Sequence, residues 1–169
     1  MTYRGSGWRI AATSHSTQIP EASEFQLSRQ VDIRFVDVDA MGHVNNAHYA
    51  TYFEEARSAY MRALFPGEDR LDDLGESFPF ILLDLYCRYL SPARLGDVLD
   101  VGVRLSRVGG KSFEFEYLVT SRKDGRAIAT GRTTQVYYNY ETGRTEQIPE
   151  SLREAFARAE ASSSSPGAP

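Results

Sequence analysis

Residues 47–65, Ala47-His-Tyr-Ala-Thr-Tyr-Phe-Glu-Glu-Ala-Arg-Ser-Ala-Tyr-Met-Arg-Ala-Leu-Phe65, form the one long stretch of this chain whose apolar residues keep a convincing helical period. Tyr49, Tyr52, Phe53, Ala56, Tyr60, Ala63 and Leu64 recur at three- and four-residue spacings, which gathers them on one face of an α-helix. Asn45 or Asn46 supplies the N-cap, and Pro66-Gly67 stops the helix. The small residues Ala50, Ala56, Ala59 and Ala63 let another backbone come close. The helix is therefore expected to be packed under other structure, not laid on a surface.

What surrounds this helix reads mainly as strand. Before it, Phe25, Leu27, Val31, Ile33 and Phe35 alternate with Gln26, Ser28, Gln30, Asp32 and Arg34, with Arg29 as the exception at the strand's rim. After an acidic connection, Phe80–Leu90 is apolar enough to predict a central strand, ended by Pro92. Val98–Arg107 and Ser112–Ser121 alternate on either side of Gly109-Gly110. Lys123-Asp-Gly-Arg126 signals a hairpin turn, and Ala127–Tyr140 is the last long strand. A short helix over Glu150–Glu160 closes the pattern. Ten Tyr and nine Phe against one Trp suit pleated, half-buried surfaces.

One strand, a long helix and four strands joined by tight turns indicate an α+β domain, not a βαβ parallel sheet. The economical packing is a strongly curved, five-stranded antiparallel sheet wrapped around the helix. Its edges remain open, which predicts a dimer joined edge to edge.

A length of 169 residues suits one such domain. The division expected is a flexible N-terminal leader over 1–23, the domain over 24–161, and a low-complexity tail over 162–169. Net charge of −4 and a pI of about 5.4 argue against a general nucleic-acid surface. No apolar run approaches the roughly 18 residues that a membrane span needs. The first residues lack the apolar stretch of a secretory signal, and the lone Cys87 fits a reducing, cytoplasmic setting. Three scattered His and one Cys give no metal-ligand spacing, so no metal or separate cofactor is expected.

The segment leading into the helix, Asp37-Val-Asp-Ala-Met-Gly-His-Val-Asn-Asn46, carries the candidate chemistry. Two carboxylates lie two residues apart at the end of a strand, and a glycine turn follows. A helix start presents unpaired N–H groups and a partial positive charge, which can hold a developing oxyanion. A carboxylate beside such a site can attack an acyl carbonyl or activate water. Turn forming and capping explain the same residue types.

The run Arg34-Phe-Val-Asp-Val-Asp-Ala-Met-Gly-His-Val-Asn-Asn-Ala-His-Tyr49 resembles the signature of hotdog-fold acyl-CoA thioesterases of the 4-hydroxybenzoyl-CoA thioesterase type. It is also similar to the Asp-x-Asp-x-x-x-His-Val-Asn-Asn-x-x-Tyr run of plant acyl-carrier-protein thioesterases, departing from them at Met41. Tyr89-Leu-Ser-Pro-Ala-Arg-Leu-Gly-Asp-Val-Leu99 resembles the family's Pro-x-x-x-Gly-Asp-x-Leu stretch.

The resemblance implies a hotdog fold and hydrolysis of an acyl-CoA thioester to free acid and coenzyme A, coenzyme A being part of the substrate. It makes Asp39 the general base or nucleophile and the N–H near Asn46 the oxyanion donor. His43 polarises the thioester, shuttles a proton or stabilises the loop; Asp37 orders the loop or binds Arg34. Tyr49 lines a substrate tunnel or packs the core, and His48 is solvated. Glu54 and Glu55 are candidates for a second acid, but the favoured reading is Glu54 paired with Arg57 on a wet face. Arg107, Lys111 and Ser112, in a hairpin, are candidates for the coenzyme A phosphates, and Arg94 is a further one. The partner implied is a second copy, as a homodimer or a dimer-of-dimers tetramer. Carrier-protein substrates, or acyl-CoA binding without hydrolysis, are the alternatives.

Overall fold

The computed structural model describes residues 18–65 and 79–163. Most of the expected leader, the connection with its Pro66-Gly67 stop, and the tail from residue 164 lie outside the described residues.

In chain order the elements are β1 (Leu27–Asp32), α1 (His48–Leu64), β2 (Phe80–Tyr89), β3 (Val98–Val108), β4 (Ser112–Ser121), β5 (Ala127–Asn139), β6 (Arg144–Thr145) and α2 (Glu150–Ser163). The sheet runs β1-β3-β4-β5-β2 and is antiparallel throughout, with the two-residue β6 added on β5. Its curved face wraps α1, as the alternation of its strands requires. This is the α+β, hotdog-type arrangement expected from the sequence.

The core lies between α1 and the inner face of the sheet. Tyr49, Tyr52, Phe53, Ala56, Tyr60 and Met61 of the helix meet Leu99, Val101, Val103, Phe113, Phe115, Tyr117 and Val119. Phe53 stacks on Tyr117 with ring centroids 4.4 Å apart, and Tyr60 meets the Phe115 ring edge-on at 5.1 Å. α2 seals the far end through Leu152, Ala155 and Phe156. At Gly131 the Phe53 ring lies so close to the sheet that an added Cβ would overlap it.

Two expectations need correction. Phe35 does not continue the buried face of the first strand: it stands 82% exposed in a tight turn over Phe35–Asp37. The turn forms because the Asp37 carboxylate accepts from the Arg34 N–H, swinging the chain off the strand. Nor is β2 central, since among the described residues β5 is its one neighbour. Its apolar residues are left half open to solvent, with Leu82, Leu83, Leu85, Tyr86 and Tyr89 all exposed. No helix among the described residues is long and apolar enough to cross a membrane.

Candidate active site

The loop between β1 and α1 is a small hairpin. Val38 and Val44 pair as an isolated bridge, and the Asp39 N–H donates to the His43 carbonyl at 2.9 Å. The loop turns at Gly42, whose φ of +77° favours glycine, and the Gly42 N–H donates to the Asp39 carbonyl at 3.0 Å. Asp39 and His43 thus face each other across the hairpin. Val44 N–H donates to Ala93, tying the loop to the segment before β3.

The two carboxylates have separate roles. Asp37 is fully buried and accepts from the Arg34 guanidinium at 2.7 Å, the Arg34 N–H at 3.0 Å and the Tyr52 hydroxyl at 3.0 Å. The Arg34 guanidinium, helped by its N–H and Tyr52, holds the Asp37 carboxyl down at about 2 against the opposing effect of burial. Its main-chain carbonyl accepts from the Asn45 N–H at 2.8 Å. Asp37 therefore fastens the loop to α1. Asp39 is half-buried, and its Oδ1 accepts from the Met41 N–H at 2.8 Å. Its other oxygen is uncommitted among the described residues.

At the helix start, Asn45 makes the capping contact, its Oδ1 accepting from Ala47 N–H at 3.0 Å. The Asn46 N–H has no acceptor among the described residues, while its carbonyl accepts from the Tyr89 hydroxyl at 3.2 Å. The Tyr89 ring also meets Tyr49 edge-on at 5.1 Å, so the end of β2 closes on the beginning of α1. Tyr49 is buried in that aromatic contact. Arg94, from the β2–β3 connection, brings its Nη2 to 3.4 Å from His43 Nε2.

Other expected residues lie elsewhere. Arg107 pairs with Glu114 at 3.3 Å, and Lys111 Nζ donates to the Thr145 carbonyl at 2.9 Å. They and Ser112 sit at the hairpin end of β3, whose other end adjoins the Asp39 loop. That separation is about 30 Å along an extended strand, so one chain alone does not bring the two groups together. His48, expected in water, lies with Nδ1 3.5 Å from Asp37. Arg57, expected on a wet face beside Glu54, is buried. The signal was available: Arg57 falls four residues after Phe53, which falls four after Tyr49, and so continues the inward stripe.

The sequence model of a family described as a thioesterase-like superfamily matches residues 33–156. A putative esterase of Aquifex aeolicus is 30% identical over 73% of this chain and 92% of its own length. A long-chain acyl-CoA thioesterase of Escherichia coli is 26% identical over 76% of this chain and 95% of its own. Among solved structures, a Thermus thermophilus thioesterase complexed with coenzyme A and zinc superposes with a TM-score of 0.70 at 36% identity. That match covers 81% of this chain and 96% of the other.

Proposed function

Since the chain belongs to the thioesterase-like superfamily, we propose that it is a thioester hydrolase acting on acyl-CoA, with Asp39 as base or nucleophile and the start of α1 as oxyanion hole. The observation that carries the reading is the N–H of Asn46, exposed at a helix start with no acceptor among the described residues, beside a loop whose Asp39 keeps one oxygen uncommitted among them. The thioester carbonyl accepts from that N–H and gains from the positive end of the helix as charge develops on its oxygen. Asp39 either attacks the carbonyl carbon, breaking the C–S bond to expel the coenzyme A thiolate and leave a mixed anhydride that water hydrolyses, or takes a proton from the water whose attack expels the thiolate. Arg94, held beside His43, adds positive potential to the loop.

Open β2 supports a second copy as partner. Under twofold symmetry the two β2 strands run antiparallel, so the Phe80 end of one chain meets the Tyr89 end of the other. The 107–112 hairpin shares the Phe80 end of the sheet, through Ser112 opposite Val136 and Phe80 opposite Tyr137. Dimerisation would carry Arg107, Lys111 and Ser112 of one chain toward the Asp39 loop of its copy, where they meet the coenzyme A phosphates.

The test is thiol release from a panel of acyl-CoAs. Asp39→Asn is expected to keep the fold and lose roughly 10²–10⁴-fold in turnover; activity like the wild type would remove Asp39 from the mechanism. Running the same acyl groups on an acyl-carrier protein decides which thiol carrier is preferred. Tight binding without hydrolysis would favour a binding domain instead.

A further inference from the structure

Among the described residues two charged side chains are buried, Asp37 and Arg57. Asp37 has its counter-ion in Arg34. Arg57, 8% exposed, makes a single hydrogen bond among the described residues: Nη1 donates to the Tyr117 hydroxyl at 3.5 Å. That hydroxyl lies 2.9 Å from Thr133 Oγ1, which accepts from Gln135 Nε2 at 2.9 Å. Gln135 is fully buried and its Oε1 has no partner among the described residues. If the amide turns over, Oε1 accepts from the Thr133 hydroxyl and the NH2 group is freed as a donor. The cluster therefore holds a guanidinium and a buried amide whose hydrogen bonding is incomplete. A buried cation without a counter-ion is destabilising unless something else meets it.

Its position indicates what that is. α1 lies closest to β1 and β3, so on the side of β5 and β2 the space between helix and sheet is filled by side chains. The inward positions of β5 there are Gly131, Thr133 and Gln135, small or polar where the rest of the face is apolar. β2 alongside is the open edge. Arg57 is eleven residues beyond Asn46, about 16 Å along the helix axis, and its side chain leans back toward the helix start. An acyl group held by its carbonyl at Asn46 would reach Arg57 by extending about 16 Å along the helix on its open β2 side, where Leu85, Tyr86 and Tyr89 are exposed.

Building on the thioesterase reading, we propose that Arg57, with Tyr117, Thr133 and Gln135, forms a polar subsite that binds a carboxylate at the far end of the acyl group. The preferred substrate is then a mono-CoA thioester of a dicarboxylic acid. A carboxylate supplies the missing counter-ion, matches the two-pronged guanidinium geometry, and accepts from the freed Gln135 amide.

Thiol release is measured for dicarboxylic mono-CoA thioesters of increasing length, against the monocarboxylic and terminally hydroxylated acyl-CoAs of equal length. The expected result is a kcat/KM about tenfold or more higher for the carboxylates at one length. Arg57→Met, similar in volume and apolar, is expected to remove that ratio while the chain stays folded, as a thermal melt reports. Arg57→Lys keeps the charge without the fork and should retain part of the ratio. A wild-type preference for plain chains overturns the subsite, and so does an unchanged ratio in Arg57→Met. Either leaves the thioesterase reading standing. If no thioester in the panel is hydrolysed, it is the thioesterase reading that fails.

Discussion

Asp37 and Asp39 are two residues apart, yet the loop gives them opposite surroundings. Asp37 is buried under three donor groups and its charge is held by Arg34, whereas Asp39 faces the hairpin opening with one oxygen uncommitted. The Asp37 carboxyl sits at about 2 in the folded chain against an ordinary 3.8. The unfolded chain therefore takes up this proton first as pH falls. The stability Asp37 contributes is complete above about pH 4 and is lost as pH drops toward 2. Replacing Asp37 by Asn is expected to cost roughly 1–3 kcal/mol at neutral pH and to flatten the stability curve between pH 4 and 2. Urea unfolding at stepped pH measures both; a variant that still loses stability as steeply as the wild type would assign the acid sensitivity elsewhere. The Arg34–Asp37 pairing was foreseeable, because the two are three residues apart at the end of a strand. The contacts of Tyr52 and His48 with Asp37 were not, because they depend on how α1 is rotated about its axis, which a local pattern does not specify.

The register of α1 on the sheet depends on a missing side chain. Gly131 faces Phe53 so closely that a Cβ there would overlap the ring, and Phe53 in turn stacks on Tyr117. Gly131→Ala is expected to push the helix outward or force Phe53 off its rotamer, at about 1–3 kcal/mol, seen as a Tm lower by several degrees. Pairing it with Phe53→Leu, which vacates the overlapping ring, should recover part of the loss; equal loss in the double variant would show that the strain lies elsewhere. Elements and their order were readable because periods of two and of three to four residues separate strand from helix. Strand order was less so. Apolarity predicted β2 to be central because a strand buried on both faces and a strand awaiting a partner carry the same residues. The Arg57 stripe was obscured in another way: an i,i+3 Glu–Arg pair reads as a wet face until the sheet is known to curve around that side.

For the whole molecule, the decisive surface is the β2 edge. A protein normally protects an edge strand with charge, proline or a covering element. Here Leu83 is 64% exposed, and Leu82, Leu85, Tyr86 and Tyr89 are open with it. Asp84 is the one acidic residue among them, and its carboxylate is already engaged by the Thr134 hydroxyl at 3.0 Å. Such an edge is suited to pairing with another strand, and a second β2 would be a self-complementary partner. A copy there would cover the exposed leucines and complete the backbone ladder. It would also bring a 107–112 hairpin to each Asp39 loop, so assembly and turnover should fail together. Leu83→Lys with Leu85→Lys places like charges across the twofold axis and is expected to yield monomers by sedimentation. The same protein should release little thiol from acyl-CoA, while circular dichroism at low temperature keeps the wild-type β signal. Monomers that hydrolyse at the wild-type rate would confine the site to one chain and leave Arg107 and Lys111 without a part in it. An unaltered dimer would move the interface off β2.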